Sequence, residues 1–343
     1  MVRRAAVIGA GAWGTTMASH LAPRTETVLW ARESEVVDDI STAGRNEQFL
    51  PGFDLAPELH ATTDLSSALD GAEVVIVAVP SPYLRAVAEE MSPLVPADVP
   101  LISLVKGIET GSHLRPTQVL GEVLTGHDPS LIGVLSGPNL AREVMDGHPS
   151  ATVVALADLV WAARIQLLIA SDRFRVYTHT DVTGCEIGGA VKNVLAIAAG
   201  MADGMGYGWN TRAALMTRGL AELARLGVAL GGEPLTFLGL AGNGDLIATC
   251  GSPDSRNHRV GEALARGDTL DEIVAGTKSV AEGVRTAPAV LELAEQLDVE
   301  MPICESVAAV LRGELSPADA LLALMRREPR AELYGFTPPG AGG

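Results

Sequence analysis

The stretch Ala5-Ala6-Val7-Ile8-Gly9-Ala10-Gly11-Ala12-Trp13-Gly14 decides the fold. An apolar run, AAVI, passes directly into GAGAWG, and the residues after it take up a helical rhythm. This is GxGxxG at a strand-to-helix turn. Its glycines have separate tasks: Gly9 permits the tight turn, Gly11 lets a pyrophosphate approach the backbone, and Gly14 lets the helix lie close to the strand. The helix start adds unpaired N–H groups and the positive end of a dipole. GxGxxG alone is a weak signature, so its surroundings decide.

Those surroundings alternate strand and helix. Apolar runs that predict strands fall at 5–9, 27–30, 59–62, 73–79, 100–104 and 131–135, with two more near 150–156 and 173–178. Most lack polar alternation, as befits parallel strands covered on both faces. Helical periodicity fills the gaps at 13–22, 64–70, 82–92, 114–125 and 158–170. The rhythm predicts an α/β class, with a Rossmann-like doubly wound domain over 1–179. From 180 to 343 strand signals almost vanish, and helical patterns at 183–204, 210–229, 255–266, 281–297, 301–312 and 316–327 predict an all-helical second domain. The Pro/Gly-rich tail 338–343 is expected to fray.

Composition narrows the function. The 343 residues carry 25 Lys plus Arg against 42 Asp plus Glu, a net charge of −17, which argues against nucleic acid or an anionic membrane as partner. Aromatic residues, at 4%, are too few for a base-stacking platform. Cys185, Cys250 and Cys304 lie far apart with no CxxC pair. That excludes a CxxC zinc site and a disulfide framework and fits a reducing cytoplasm. No HExxH or clustered ligand set implies a metal, and no GxSxG elbow implies a serine nucleophile. Glycines break the apolar stretch after Arg3 and Arg4, so no secretory signal is expected, and no run suggests a membrane span.

Cofactor choice is written at the end of the second strand, where an acid would hold a ribose 2′-OH. Here Leu29-Trp30-Ala31-Arg32 ends in an arginine. Arg32 can accept a 2′-phosphate, or it is a solvated charge; NADP is permitted and NAD is not excluded. Glu33 and Glu35 read as first-turn helix residues.

Twenty-two of the basic residues are Arg, and only Lys106, Lys192 and Lys278 are Lys. Lys106, after the fifth strand, is aimed at the crevice beyond the strand ends. Lys192 lies in an apolar helix with Gly188 and Gly189 one turn earlier. The glycines predict an open slot beside the ammonium group. Desolvation there would lower the lysine pKa and make it a proton donor and acceptor, which Arg cannot be. Lys278, in a polar loop setting, reads equally as functional or as a plain exposed lysine. In AGNGDL, Asp245 either orients Lys192 or caps a helix over 246–250. In DSRNHR, Ser255 reads as an N-cap, with Arg256 and Asn257 in the first helical turn. Free N–H groups, the helix dipole and a forked guanidinium together predict a phosphate seat. Hydride transfer with proton transfer by lysine is the simplest chemistry left.

At this point the chain resembles the bacterial NAD(P)-dependent sn-glycerol-3-phosphate dehydrogenases. The likeness runs from GAGAWG to about residue 327 through LWAR, GRNEQFLP, VAVPS, LVKGIE, LSGPNLARE, EIGGAVKNVLAIAAGMADG, TRGLAEL, GNGDLIATC, SRNHR and VAEGV. The resemblance implies a helical domain of the 6-phosphogluconate dehydrogenase type. It also implies reversible reduction of dihydroxyacetone phosphate to sn-glycerol 3-phosphate for glycerophospholipid synthesis. By the family's pattern Lys192 is the catalytic proton donor and acceptor, and Lys106 is shared by substrate and cofactor. Gly137, Asn139, Asp245, Ser255, Arg256 and Asn257 match substrate positions, and Asn193 and Thr249 match polar positions near the substrate in eukaryotic relatives. Gly9, Gly11, Ala12, Trp13, Gly14, Arg32, Ala141, Arg256, Val280 and Glu282 match cofactor positions. Asn243 departs from a commonly apolar turn position and Asn139 from a frequent Thr or Ser.

The expectation is therefore a cytoplasmic homodimer that uses NADP or NAD. Lys192 protonates the developing alkoxide, Lys106 stabilises it, and Arg256 with its helix start holds the phosphate. The fingerprint and Lys192 lie in different halves, so the two domains must meet. Two other readings share the fingerprint: a ketopantoate-type or 2-hydroxyacid reductase, and a non-catalytic NAD(P) sensor. The first has less reason for SRN at a helix start, and the second lacks an evident DNA-binding element.

Overall fold

The structure is a computed structural model that describes residues 2–276 and 281–332. Lys278, Val280 and the tail 338–343 lie outside the described residues. The chain divides into two compact units, Met1–Glu186 and Ile187–Gly343.

The first unit carries β1 (Arg4–Ile8), β2 (Glu26–Trp30), β3 (His60–Thr62), β4 (Val74–Val77), β5 (Leu101–Ser103), β6 (Ile132–Ser136), β7 (Ser150–Ala155) and β8 (Phe174–His179). They form one sheet in the order β3-β2-β1-β4-β5-β6-β7-β8. The first six strands are parallel, as doubly wound topology requires; β7 turns antiparallel against β6, and β8 runs parallel to β7. Helices α1 (Ala12–Leu21), α2 (Ser34–Ala43), α3 (Leu65–Leu69), α4 (Leu84–Met91), α5 (Pro116–Val123), α6 (Ala141–Met145) and α7 (Leu159–Ile169) connect them. Alternate residues of each strand go to opposite faces. Val7, Leu29 and Ile76 join Met17, Ile40 and Ile165 in one core. Ile8, Val28 and Val77 join Leu69, Leu84 and Leu120 in the other. Both faces are covered, which is why the strands read as unbroken apolar runs.

The order of connection reverses between β1 and β4, the switch point where such sheets bind ligands. Gly9 follows β1 there with φ at +114°, a conformation that favours glycine. A Cβ on Gly9 would stand 2.8 Å from the Ala78 carbonyl, just past β4.

The second unit is helical among the described residues. Its members are most of α8 (Val182–Gly204), then α9 (Trp209–Ala229), α10 (Asp245–Gly251), α11 (Arg256–Arg266), α12 (Leu270–Ala275), α13 (Glu282–Gln296), α14 (Pro302–Leu311) and α15 (Pro317–Met325). Helices α2, α6 and α12 have no range in the periodicity reading; α2 is signalled only by Glu33 and Glu35 as first-turn residues, and Glu33 is instead its N-cap.

Helix α8 runs through this unit in backbone-close contact with several neighbours. A Cβ on Gly200 would lie 1.9 Å from the His258 carbonyl, and one on Gly261 2.0 Å from the Ile197 carbonyl. Glycine on both helices is what lets α8 and α11 approach. By length and hydropathy α8 would also pass for a membrane span, but its apolar window is entirely buried in the protein.

Candidate active site

In the first unit the three fingerprint glycines differ physically. A Cβ on Gly14 would collide with the Gly9 carbonyl at 2.0 Å, so Gly14 serves packing of α1 on β1. Gly11, the N-cap of α1, has ordinary dihedrals (φ −64°, ψ 172°). Nothing lies within 4 Å of where its Cβ would be. Here glycine keeps space open above a helix N-terminus, the property that a diphosphate requires. The turn is held from below by Asn46, which is fully buried. Its Nδ2 donates to the Ala10 carbonyl (2.9 Å) and to Thr15 Oγ1 (2.8 Å). Asn46 lies in the GRNEQFLP segment, and nothing local in the sequence marks it as a brace for a loop some 30 residues earlier.

Ala12 and Trp13 open α1, and the Trp13 ring packs edge-on against Phe174 at 6.2 Å. Its buried indole N–H finds no hydrogen-bond partner among the described residues. Arg32 stands two residues past β2, mostly exposed, stacked over Tyr83 and paired with Glu33. Beyond β5, the Lys106 ammonium donates to the Gly137 carbonyl (2.9 Å). Gly137 itself has φ at +146°. Asn139 donates to Thr152 Oγ1 (2.9 Å), while its buried Oδ1 has no partner among the described residues. Ala141 starts α6. An open helix start, an unpaired buried indole N–H and an unpaired buried amide oxygen are features that a bound dinucleotide fits.

The second unit gathers Lys192, Asp245 and Thr249. Lys192 on α8 donates to Asp245 Oδ1 (2.7 Å) and to Thr249 Oγ1 (2.6 Å), both on α10. The side chains of the ion pair are only 7% and 2% exposed. Asp245 is the first residue of α10, and no side chain caps that helix; the carboxylate is turned to Lys192 and does not serve as the cap. A π-helical turn, Leu240–Gly244, leads into it. Such turns recur at functional sites, because the extra residue re-aims the side chains that come after it.

The slot expected beside Gly188 is filled. A Cβ there would fall 2.4 Å from the Ala241 carbonyl, so this glycine brings the π-turn, and Asp245 after it, against α8. Burial pushes the neighbouring Cys250 thiol up to about 12, with the Lys192 charge pulling the other way. This cysteine is inert as a nucleophile near neutrality.

Ser255 caps α11, its hydroxyl accepting the His258 N–H at 3.3 Å. Arg256 in the first turn is exposed and Asn257 beside it is buried. The Asn257 amide donates to Asn193 Oδ1 (2.9 Å), and its oxygen accepts the Gly283 N–H (2.9 Å). Glu282 begins α13 at that contact. Asn193 also donates to the Gly189 carbonyl one turn back (3.3 Å). His258, which no motif singled out, hydrogen-bonds Asp203 at 2.8 Å and anchors α11 to the end of α8.

A Rossmann-type sheet with this fingerprint, followed by a helical unit, is the architecture of a two-domain NAD(P)-linked dehydrogenase. Comparison with known proteins specifies which. The model of the NAD-dependent glycerol-3-phosphate dehydrogenase N-terminus matches residues 4–162, and that of the C-terminus residues 181–322. The glycerol-3-phosphate dehydrogenase (NAD(P)+) of Thermobifida fusca is 50% identical over 334 residues, covering 97% of this chain and 99% of its own. The crystal structure of the Coxiella burnetii glycerol-3-phosphate dehydrogenase superposes with a TM-score of 0.89 at 37% identity, covering 95% of this chain and 99% of that one. A Ralstonia eutropha ketopantoate reductase, at 16% identity and TM-score 0.58 over 93% of this chain and 99% of its own, shares the fold alone. The chain belongs to the NAD-dependent glycerol-3-phosphate dehydrogenase family.

Proposed function

We propose that this chain reversibly reduces dihydroxyacetone phosphate to sn-glycerol 3-phosphate with NADPH or NADH and so supplies glycerophospholipid synthesis. The observation that carries the reading is the buried Lys192–Asp245–Thr249 cluster. A bound nicotinamide cofactor supplies the hydride to C2 of the ketone. Lys192 donates the proton that the C2 oxygen needs, and Asp245 and Thr249 hold its Nζ in one place while it does so. An ammonium this buried is sustained by its carboxylate partner, since an isolated buried charge is strongly disfavoured. Arg256 and the N-terminus of α11 are the proposed phosphate seat: a helix of 11 residues starts there, capped by Ser255, with an exposed guanidinium in its first turn. Asn257 and Asn193 are proposed to shape that seat through their mutual hydrogen bond. Lys106, Gly137 and Asn139 are the polar groups that the first unit offers, and Gly9, Gly11, Ala12, Trp13, Gly14, Arg32, Ala141 and Glu282 complete the proposed cofactor set.

Homodimer formation in the cytoplasm belongs to the same reading. Support comes from exposed Leu235, Leu238 and Ile247 on the second unit and from three buried cysteines, none of them in a disulfide. A mass measurement in solution equal to one chain would remove the dimer.

The central test is Lys192→Arg with NADPH oxidation as readout. Charge is kept and proton donation is lost, so kcat should fall about 100-fold or more. Near wild-type turnover removes the proton-donor role. Unphosphorylated dihydroxyacetone should be a poor substrate; equal rates with and without the phosphate would remove the phosphate seat.

A further inference from the structure

Arg32 is placed between two neighbours that were not read as functional in the sequence. Its guanidinium carbon stands 5.3 Å from the centroid of the Tyr83 ring. One of its nitrogens, Nη2, donates to Glu33 Oε1 at 3.1 Å. Tyr83 ends a short 3-10 turn, Ser81–Tyr83, just past β4, and is 46% exposed. Glu33 occupies the N-cap of α2 in an extended conformation (φ −85°, ψ 119°) without capping it through its side chain. Its backbone carbonyl starts the helix by accepting the Val36 N–H (3.2 Å), which leaves the carboxylate for Arg32.

The ring and the carboxylate act differently on the same guanidinium. Tyr83 holds one face flat, which removes rotamer freedom but uses none of the five N–H donors. Glu33 takes up one of those donors and neutralises the charge. The adenosine ribose of a dinucleotide lies at the end of β2, beside this trio. A 2′-phosphate therefore has to win Arg32 from Glu33, and it meets the Glu33 charge as well. With a plain 2′-OH, the Arg32–Glu33 pair stays intact and the carboxylate can accept the hydroxyl proton.

We propose that Tyr83 and Glu33 set the choice between NADP and NAD at this site: Tyr83 presents Arg32 to a 2′-phosphate, and Glu33 competes with that phosphate for Arg32 while serving the ribose hydroxyl of NAD. This rests on the proposed dinucleotide binding and names the residues behind its dual cofactor use. Neither residue is a proton donor in the reaction; both act through Arg32 or on the ribose.

The test measures kcat and KM with NADPH and with NADH in Glu33→Gln, Tyr83→Ala and Tyr83→Phe. Glu33→Gln should raise the NADPH-to-NADH ratio of kcat/KM about tenfold, through a lower KM for NADPH and a higher one for NADH. An exposed cation–π contact is worth about 0.5–1 kcal/mol, so Tyr83→Ala should lower the ratio about threefold, and Tyr83→Phe should restore it. Competition by 2′,5′-ADP against 5′-ADP should shift in the same directions. Ratios that stay within twofold of wild type in both Glu33→Gln and Tyr83→Ala overturn the proposal, as do equal changes for both cofactors. A wild-type protein that binds neither nucleotide overturns the dinucleotide reading itself, a failure distinct from an unmoved ratio.

Discussion

At the scale of single residues, the fingerprint glycines separate binding from folding. Gly11 has free space where a side chain would go and dihedrals any residue adopts. Gly11→Val should therefore fold, with stability within about 1 kcal/mol of wild type, the usual range for a changed N-cap, while losing dinucleotide binding. Gly14→Val places carbon against the Gly9 carbonyl and should cost about 3 kcal/mol or more, at the upper end for overpacking. Thermal melts with and without NADP+ distinguish the two; a Gly11→Val protein that still binds would deny that the open space serves a ligand. The turn at Gly9 and the close packing at Gly14 were legible in the sequence because one motif encodes them within six residues. The place of Arg32 just past β2 was legible, but its partnership with Tyr83 was not. The two are neighbours only because β2 and β4 flank β1 in the sheet, and no local pattern carries that information. Lys192 and Asp245 were legible for a different reason. A lysine in an apolar helix and an acid after a glycine cluster are each out of place unless they meet.

At the scale of elements, periodicity located most helices and strands, since each presents an apolar face of regular spacing. It did not show how helix ends are finished. Helix α14 begins with Pro302 and has no side-chain cap of its own. Its first N–H groups are accepted instead by Glu222 of α9, at 2.8 Å from Ile303 and 3.3 Å from Cys304. Burial raises the Glu222 carboxyl from 4.5 to about 7, against the pull of those two N–H groups and Arg225. A raised acid binds its proton more tightly folded than unfolded, so folding takes up a proton between the two values. The stability held below pH 4.5 should thus fall as pH rises through about 7, by about 3 kcal/mol at 1.36 kcal/mol per unit. Glu222→Gln lacks this titration. The stability difference between wild type and variant should shrink over that window in urea melts at a series of pH values. A constant difference would place the Glu222 proton elsewhere. The π-turn before Asp245 was similarly hidden: AGNGDL reads as a Gly-rich turn, and the extra residue becomes evident only where Gly188 receives the Ala241 carbonyl.

At the scale of the whole molecule, a net charge of −17 sets a field that every anion approaching the protein must cross. Self-repulsion of this size destabilises the compact state. Raising salt from about 0.01 M to 0.15 M shortens the screening length from roughly 30 Å to 8 Å, and the melting temperature should rise with it in differential scanning fluorimetry. A flat or falling profile would show that local pairs such as Arg85 with Glu109 outweigh the global term. The two-part plan of the chain was legible because strand patterns stop near residue 180. The backbone-close packing of α8 was not, since its glycines looked like room for a ligand. That packing has a consequence for synthesis. The helix that meets Gly200 is α11, about 60 residues further on. At roughly 5–20 residues per second, α8 waits about 3–12 seconds on the ribosome before that partner exists. During that interval the 23-residue helix lacks the α11 backbone that packs against Gly200. Lys192 at its middle adds about 3 kcal/mol against entering a bilayer. The lysine that the folded protein pairs with Asp245 thus also lowers the hydropathy of a helix long enough to cross a membrane.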